Sequence, residues 1–195
     1  MTLLDFFLVG IIGGISPGPI TALLLGETFR NGVRSGIQVP LALIFTNIFF
    51  GVFSVSLIFL GASITDKILL YFPYIGGAVF IYMGISEWRS SGRIDLTHTT
   101  HPFRKTLLMD VLNPHPYIFW FTILAAPIVA HLKESDWNFS LLAWGLFIVG
   151  LCGTKSIISL TAHAIRPYLK DHIVRIILKV LAVALVFFGI KLLFL

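Results

Sequence analysis

Charge is scarce in this chain. Of its 195 residues 12% are charged and 57% hydrophobic, with a mean hydropathy of +0.95. A soluble domain carries about twice that share of charge, so the soluble domain that length alone would suggest is excluded. Cysteine is nearly absent too. Cys152 stands alone, so no disulfide framework and no intramolecular dithiol relay can form, and a membrane thiol oxidoreductase is ruled out with them. No apolar segment shows the period-two alternation of a membrane barrel strand. Residues 1–6 (MTLLDF) lack the basic start of a signal peptide and are expected to stay on as part of the first span. The net charge of +5 belongs to loop lysines and arginines, which makes a lipid bilayer the partner and excludes nucleic acid.

What the chain has instead is six apolar segments, at about 3–29, 37–62, 68–87, 104–131, 139–162 and 175–195. A helical span takes roughly 20 residues, so six spans with short loops account for the whole length as a single membrane domain, 1–195. The polar stretch 88–105 is its midpoint, with a cytoplasmic linker at about 89–103 between a first half (about 1–88) and a second (about 104–195). His98 and His101 in this linker do not make a metal site by themselves. The loops after segments one, three and five hold nine basic residues: Arg30, Arg34, Arg89, Arg93, Arg104, Lys105, Arg166, Lys170 and Arg175. The opposite side holds Lys67, Lys133 and Lys191. Basic loops stay inside, which predicts an inner (plasma) membrane protein with both termini extracytoplasmic. Trp88, Trp137 and Tyr168 sit at span ends as interface anchors.

The halves resemble each other. Segment one contains Ser16-Pro17-Gly18-Pro19 and segment four Asn113-Pro114-His115-Pro116; segments three and six end in Gly84-Ile85 and Gly189-Ile190. Three spans per half is an odd number, so the second half enters from the other side, an inverted repeat of the kind secondary transporters use. Ser and Asn are good helix N-caps and proline suits the first helical position. Ser16-Pro17 and Asn113-Pro114 are therefore expected to start fresh half-helices within the membrane, with Gly13-Gly14 easing the first break. Both breaks fall near mid-depth, where two half-helix N-termini would attract an anion.

These features together resemble the lysine-exporter (LysE/RhtB-type) translocator family. Ser16-Pro17-Gly18-Pro19, the following loop with Arg30, Gly32, Arg34 and Gly36, and Asn113-Pro114 after a central linker carry the likeness over essentially the whole chain. His115-Pro116 departs from it, where a lysine or small residue is expected. The resemblance implies an exporter of amino acids or close relatives driven by the proton gradient, with no cofactor and no enzymatic reaction.

Lys155 lies inside segment five, where an ionised lysine costs about 2.5–3.5 kcal/mol on insertion scales. Glu27 and Asp110 share its depth, and either is a candidate ion-pair partner. Glu27 has a second candidate in Arg30, three positions on. His115 titrates near neutral pH and could carry a proton. Asn47 and Thr46 either line a cavity or join helices. Gly145, Cys152, Ser156 and Ser159 are expected at a close helix contact. The reading is a proton-coupled exporter with Ser16, Pro17, Gly18, Pro19, Asn47, Asn113, Pro114 and His115 around the substrate and Glu27, Asp110 and Lys155 supplying charge. A homo-oligomer is compatible with it. Alternatives are a metal-ion exporter of the same six-span group and a membrane assembly subunit without transport activity.

Overall fold

The computed structural model of the chain describes residues 1–16, 18–59 and 101–193, with nine positions between 74 and 89. Among these residues every regular element is helical. The first segment is two helices, α1 (Leu3–Ile15) and α2 (Pro19–Asn31), bent by 63°. A short α3 (Val33–Gly36) leads into α4 (Gln38–Phe59). The fourth segment is broken into α5 (Pro102–Val111), α6 (Pro114–Phe119), a π-helical stretch (Trp120–Leu124) and α7 (Ala125–Lys133). The long α8 (Trp137–Ile165) turns through Arg166–Tyr168 into α9 (Asp171–Leu193).

Among the described residues three helical stretches are long and apolar enough to cross a membrane: Val33–Phe59, Trp137–Tyr168 and Asp171–Lys191. The bent pair α1–α2 makes a fourth if it is one span. Most of the expected third segment and of the central linker lies outside the described residues. The fourth segment is broken at Asn113: the 10 residues of α5 before it reach only about 15 Å at ~1.5 Å per residue, half a bilayer core, and helix resumes from Pro114 to Lys133.

Local chemistry sets the helix ends. The Thr2 hydroxyl accepts from the Asp5 N–H at 3.3 Å while the Thr2 N–H donates to the Asp5 carboxylate at 2.6 Å, a capping box for α1. Asp136 caps α8 by accepting from Phe139 N–H at 3.1 Å. Gly32, at φ 79°, closes α2 in a left-handed conformation that a side chain would resist.

Packing then brings the pieces together through small residues, because helices in lipid associate where backbones approach closely. A Cβ at Gly10 would run into the Phe147 carbonyl, and one at Gly150 into the Phe7 carbonyl, so α1 and α8 touch backbone to backbone. Gly77 and Gly189 relate in the same reciprocal way, a Cβ on each lying 2.7 Å from the other's carbonyl. The contact expected at Gly145, Cys152, Ser156 and Ser159 is only partly there. Gly145 faces open space and Ser156 bonds its own helix at Cys152 O. Ser159 meets Thr28 at 2.9 Å beside Gly36, and Cys152 is buried with Leu24, Val39 and Met109. The stripe was misplaced because Gly150, the residue that allows the crossing, reads as one more apolar position. A second, aromatic cluster joins Phe6, Phe50, Tyr117, Trp120 and Phe147.

Candidate functional site

The first break differs from its expected form. Ser16 ends α1 rather than starting α2: its N–H donates to Ile12 O at 3.0 Å as the C-cap. Gly18 is the N-cap of α2 and Pro19 its first residue, with no side chain capping the first-turn amides. Two prolines bracket a glycine, so the helix restarts at the second one, where its missing N–H costs nothing. Pro17 lies outside the described residues. Gly18 has φ near 180°, open to any residue, and a Cβ there would meet nothing within 4 Å. What it provides is space at the bend.

Lys155 reaches into that bend from α8. Its side chain is buried, and Nζ donates to the Thr21 hydroxyl at 2.5 Å and to Ser16 O at 3.4 Å. Thr21 in turn donates to Ser16 O at 2.8 Å. The ammonium thus sits on the carbonyl end of α1, where the helix dipole is negative. It does not form the expected ion pair with Glu27 or Asp110. Asp110 lies in the last turn of α5, equally buried, and accepts from Thr46 of α4 at 2.5 Å. The two charges interact through space, with Tyr117 and Cys152 also inside the field of Asp110.

Glu27 belongs to a different cluster. One carboxylate oxygen meets Lys105 Nζ at 3.1 Å, and the other accepts from Asn31 at 2.8 Å and Ser35 at 2.9 Å. Its cation is therefore Lys105, from across the central linker, in place of the expected Arg30. The i+3 spacing allows the latter contact, but α5 carries Lys105 to the carboxylate at the level of the α2–α3 corner. This ties the two halves of the chain together on the side of the basic loops.

At the second break α5 ends with Leu112, and Asn113 donates its backbone N–H to Asp110 O at 3.2 Å before Pro114 opens α6. Asn113 is buried; the side chains of Pro114 and His115 lie outside the described residues. Asn47 joins helices: its oxygen accepts from Trp120 Nε1 at 3.1 Å and its amide donates to Leu43 O at 2.9 Å. So the bundle brings Ser16, Gly18, Pro19, Lys155 and, across from them, Asp110 into one region. Glu27 stands apart, and Asn47 marks the seam between α4 and the π-helical stretch.

Sequence reasoning missed Thr21 and Lys105. Thr21 stood one turn after the break, and a hydroxyl in an apolar helix beside interrupted backbone was its only signal. Lys105 was counted as a loop charge. Among the described residues no group of three His, Cys, Asp or Glu side chains could hold a metal ion.

The profile of the LysE type translocator family matches residues 11–195. A Vibrio cholerae protein described as an uncharacterized membrane protein is 24% identical over 130 residues, 60% of this chain and 60% of its own length. The chain thus spans about three fifths of the length of that curated relative. No solved structure matches the chain.

Proposed function

Because this chain belongs to the LysE type translocator family, whose members move small molecules across membranes, we propose that it is a secondary active exporter of amino acids or related small metabolites. Export is coupled to protons and proceeds by alternating access of two inverted three-span halves. The carrying observation is the buried ammonium of Lys155 docked on the interrupted backbone of the first span, with the buried carboxylate of Asp110 in its field. A transporter needs charge at mid-depth that a substrate or a proton can engage, and intramembrane ionisable residues are the usual means. Asp110, held by a single hydroxyl, is the better exchange partner than Glu27, which already has three donors.

The packing supports the repeat. Exchanging segment one with four, two with five and three with six turns the α1–α8 contact into an α4–α5 contact and turns the contact of segments three and six into itself. Close packing occurs at α1 on α8, α4 on α5, and Gly77 on Gly189. With nine basic residues against three, the loops holding Arg34 and Arg166 face the cytoplasm in an inner membrane. Cysteine labelling of whole cells at Ser91 and Ser135 tests this: Ser135→Cys reacts with an impermeant reagent and Ser91→Cys does not, and the reverse overturns the orientation.

Function is tested in proteoliposomes loaded with radiolabelled amino acids, with and without an imposed pH gradient. Wild-type protein accelerates efflux and the gradient increases it. Gly18→Leu inserts normally and loses efflux, because the leucine fills the open space at the bend. Efflux by well-inserted Gly18→Leu equal to wild type removes the break from the transport path.

A further inference from the structure

We infer that the Lys155–Asp110 region is a two-point site for a small zwitterion, an α-amino acid with an uncharged side chain, and that it discriminates against cationic amino acids. The inference rests on the transport reading above and adds the charge class of the substrate.

Among the described residues the buried charged side chains are Glu27, Asp110 and Lys155. Glu27 is neutralised by Lys105 and bonded at both oxygens. That leaves one cation and one anion, each more than nine-tenths buried and each held, among the described residues, by neutral groups: Thr21 and Ser16 O for Lys155, Thr46 for Asp110. Opposite charges in a low-dielectric interior attract strongly, and a direct pair would offset the desolvation of both. Here they interact electrostatically but do not form an ion pair, because Lys155 is drawn aside to the carbonyl end of α1 and Asp110 to α4.

Two separated, unneutralised charges of opposite sign are complementary to a molecule that carries both signs a few bonds apart. A ligand carboxylate would take the third N–H of Lys155, beside the first-turn amides of α2 that no side chain caps. A ligand ammonium would take the Asp110 oxygen not bonded to Thr46. Binding then neutralises all four charges inside the membrane at once. An acid without the amine, or an amine without the acid, leaves one buried charge uncompensated, which is costly. A second ammonium on the ligand side chain would require a further carboxylate, and Glu27 is already filled. The site therefore excludes lysine-like substrates by want of an acceptor.

The test is counterflow in proteoliposomes without a pH gradient. A radiolabelled neutral amino acid is the tracer, with unlabelled competitors of matched size: the neutral amino acid, its amino alcohol, its des-amino acid and a cationic amino acid. Wild-type counterflow is inhibited by the neutral amino acid at concentrations at least about tenfold below those needed for the other three. Lys155→Gln lowers inhibition by the neutral amino acid while largely keeping that by the amino alcohol. Asp110→Asn does the converse, keeping inhibition by the des-amino acid. These ratios do not depend on how much folded protein is reconstituted. Equal inhibition by the cationic amino acid, or ratios unchanged in both variants, overturns the two-charge assignment while leaving transport intact. Absence of counterflow or efflux for every amino acid tried, by protein shown to be inserted and folded, overturns the transport reading itself and this inference with it.

Discussion

Two buried carboxylates, Glu27 and Asp110, look alike in the sequence and live differently in the fold. Glu27 sits at the α2–α3 corner with Lys105, Asn31 and Ser35 on its two oxygens. Asp110 sits at the end of α5 with Thr46 alone among side-chain partners in the described residues. A fully bonded carboxylate is a structural tie, since moving it breaks every bond at once. A carboxylate with one donor keeps acceptor capacity for something that arrives. The lesson is that burial of an ionisable group inside a membrane identifies a candidate, and the count of partners decides whether it holds the protein together or is open to a ligand.

The contrast can be broken most directly by removing each carboxyl group. Glu27→Ala removes three hydrogen bonds at once, from Lys105, Asn31 and Ser35, and is expected to cost about 3–5 kcal/mol, at roughly 1–1.5 kcal/mol for each bond to the carboxylate. Asp110→Ala leaves the Thr46 hydroxyl its bond to Leu43 O but takes away the anion whose field acts on the buried Lys155, at about 1–3 kcal/mol. Denaturant unfolding of the two variants in the same detergent ranks them, and an Asp110→Ala protein less stable than Glu27→Ala would reverse the assignment of roles. Next in size is Lys105→Met. Because about a third of the Lys105 side chain is exposed (35%), solvent screens its pair with Glu27, and the buried carboxylate keeps Asn31 and Ser35, so the loss should be near 1–2 kcal/mol rather than the roughly 3–5 kcal/mol of a fully buried pair losing one partner. Lys105→Arg should recover most of it; failure of that conservative exchange would mean that Lys105 acts by packing.

Of similar size is Thr46→Val, which keeps the shape and removes the hydroxyl on Asp110. Stability should fall by about 1.5 kcal/mol, the low end for a hydrogen bond to a charged group, while transport kinetics change in the same variant. If stability falls and transport is untouched, Asp110 is another structural tie and the difference between the two acids disappears. The smallest effect is expected from Ser156→Ala, because the hydroxyl bonds only its own helix at Cys152 O, 2.8 Å away. A change beyond about 0.5 kcal/mol in unfolding would show that the α8 face near Lys155 is packed more tightly than its hydrogen bonds indicate.

Apolar runs, proline and glycine punctuation and the basic-loop bias are local or one-dimensional signals, and each was legible directly. From them came the helical membrane class, the interruption of segments one and four, the family, and the anomaly of a lysine at depth. Which side chain meets which was not legible, because it depends on helix rotation and on contacts spanning much of the chain. Lys155 and Thr21 are 134 positions apart, Glu27 and Lys105 78, Thr46 and Asp110 64. Depth alone placed Glu27, Asp110 and Lys155 in one group. The backbone approach of Gly10 to Gly150 sets how α1 lies along α8 and so brings the Lys155 ammonium to the Ser16 carbonyl rather than to an acid. The sequence by itself determined that buried charges exist and roughly where. Only the tertiary structure decided which one is tied and which is left open, since hydrogen-bond saturation is a property of converging helices and of no single segment.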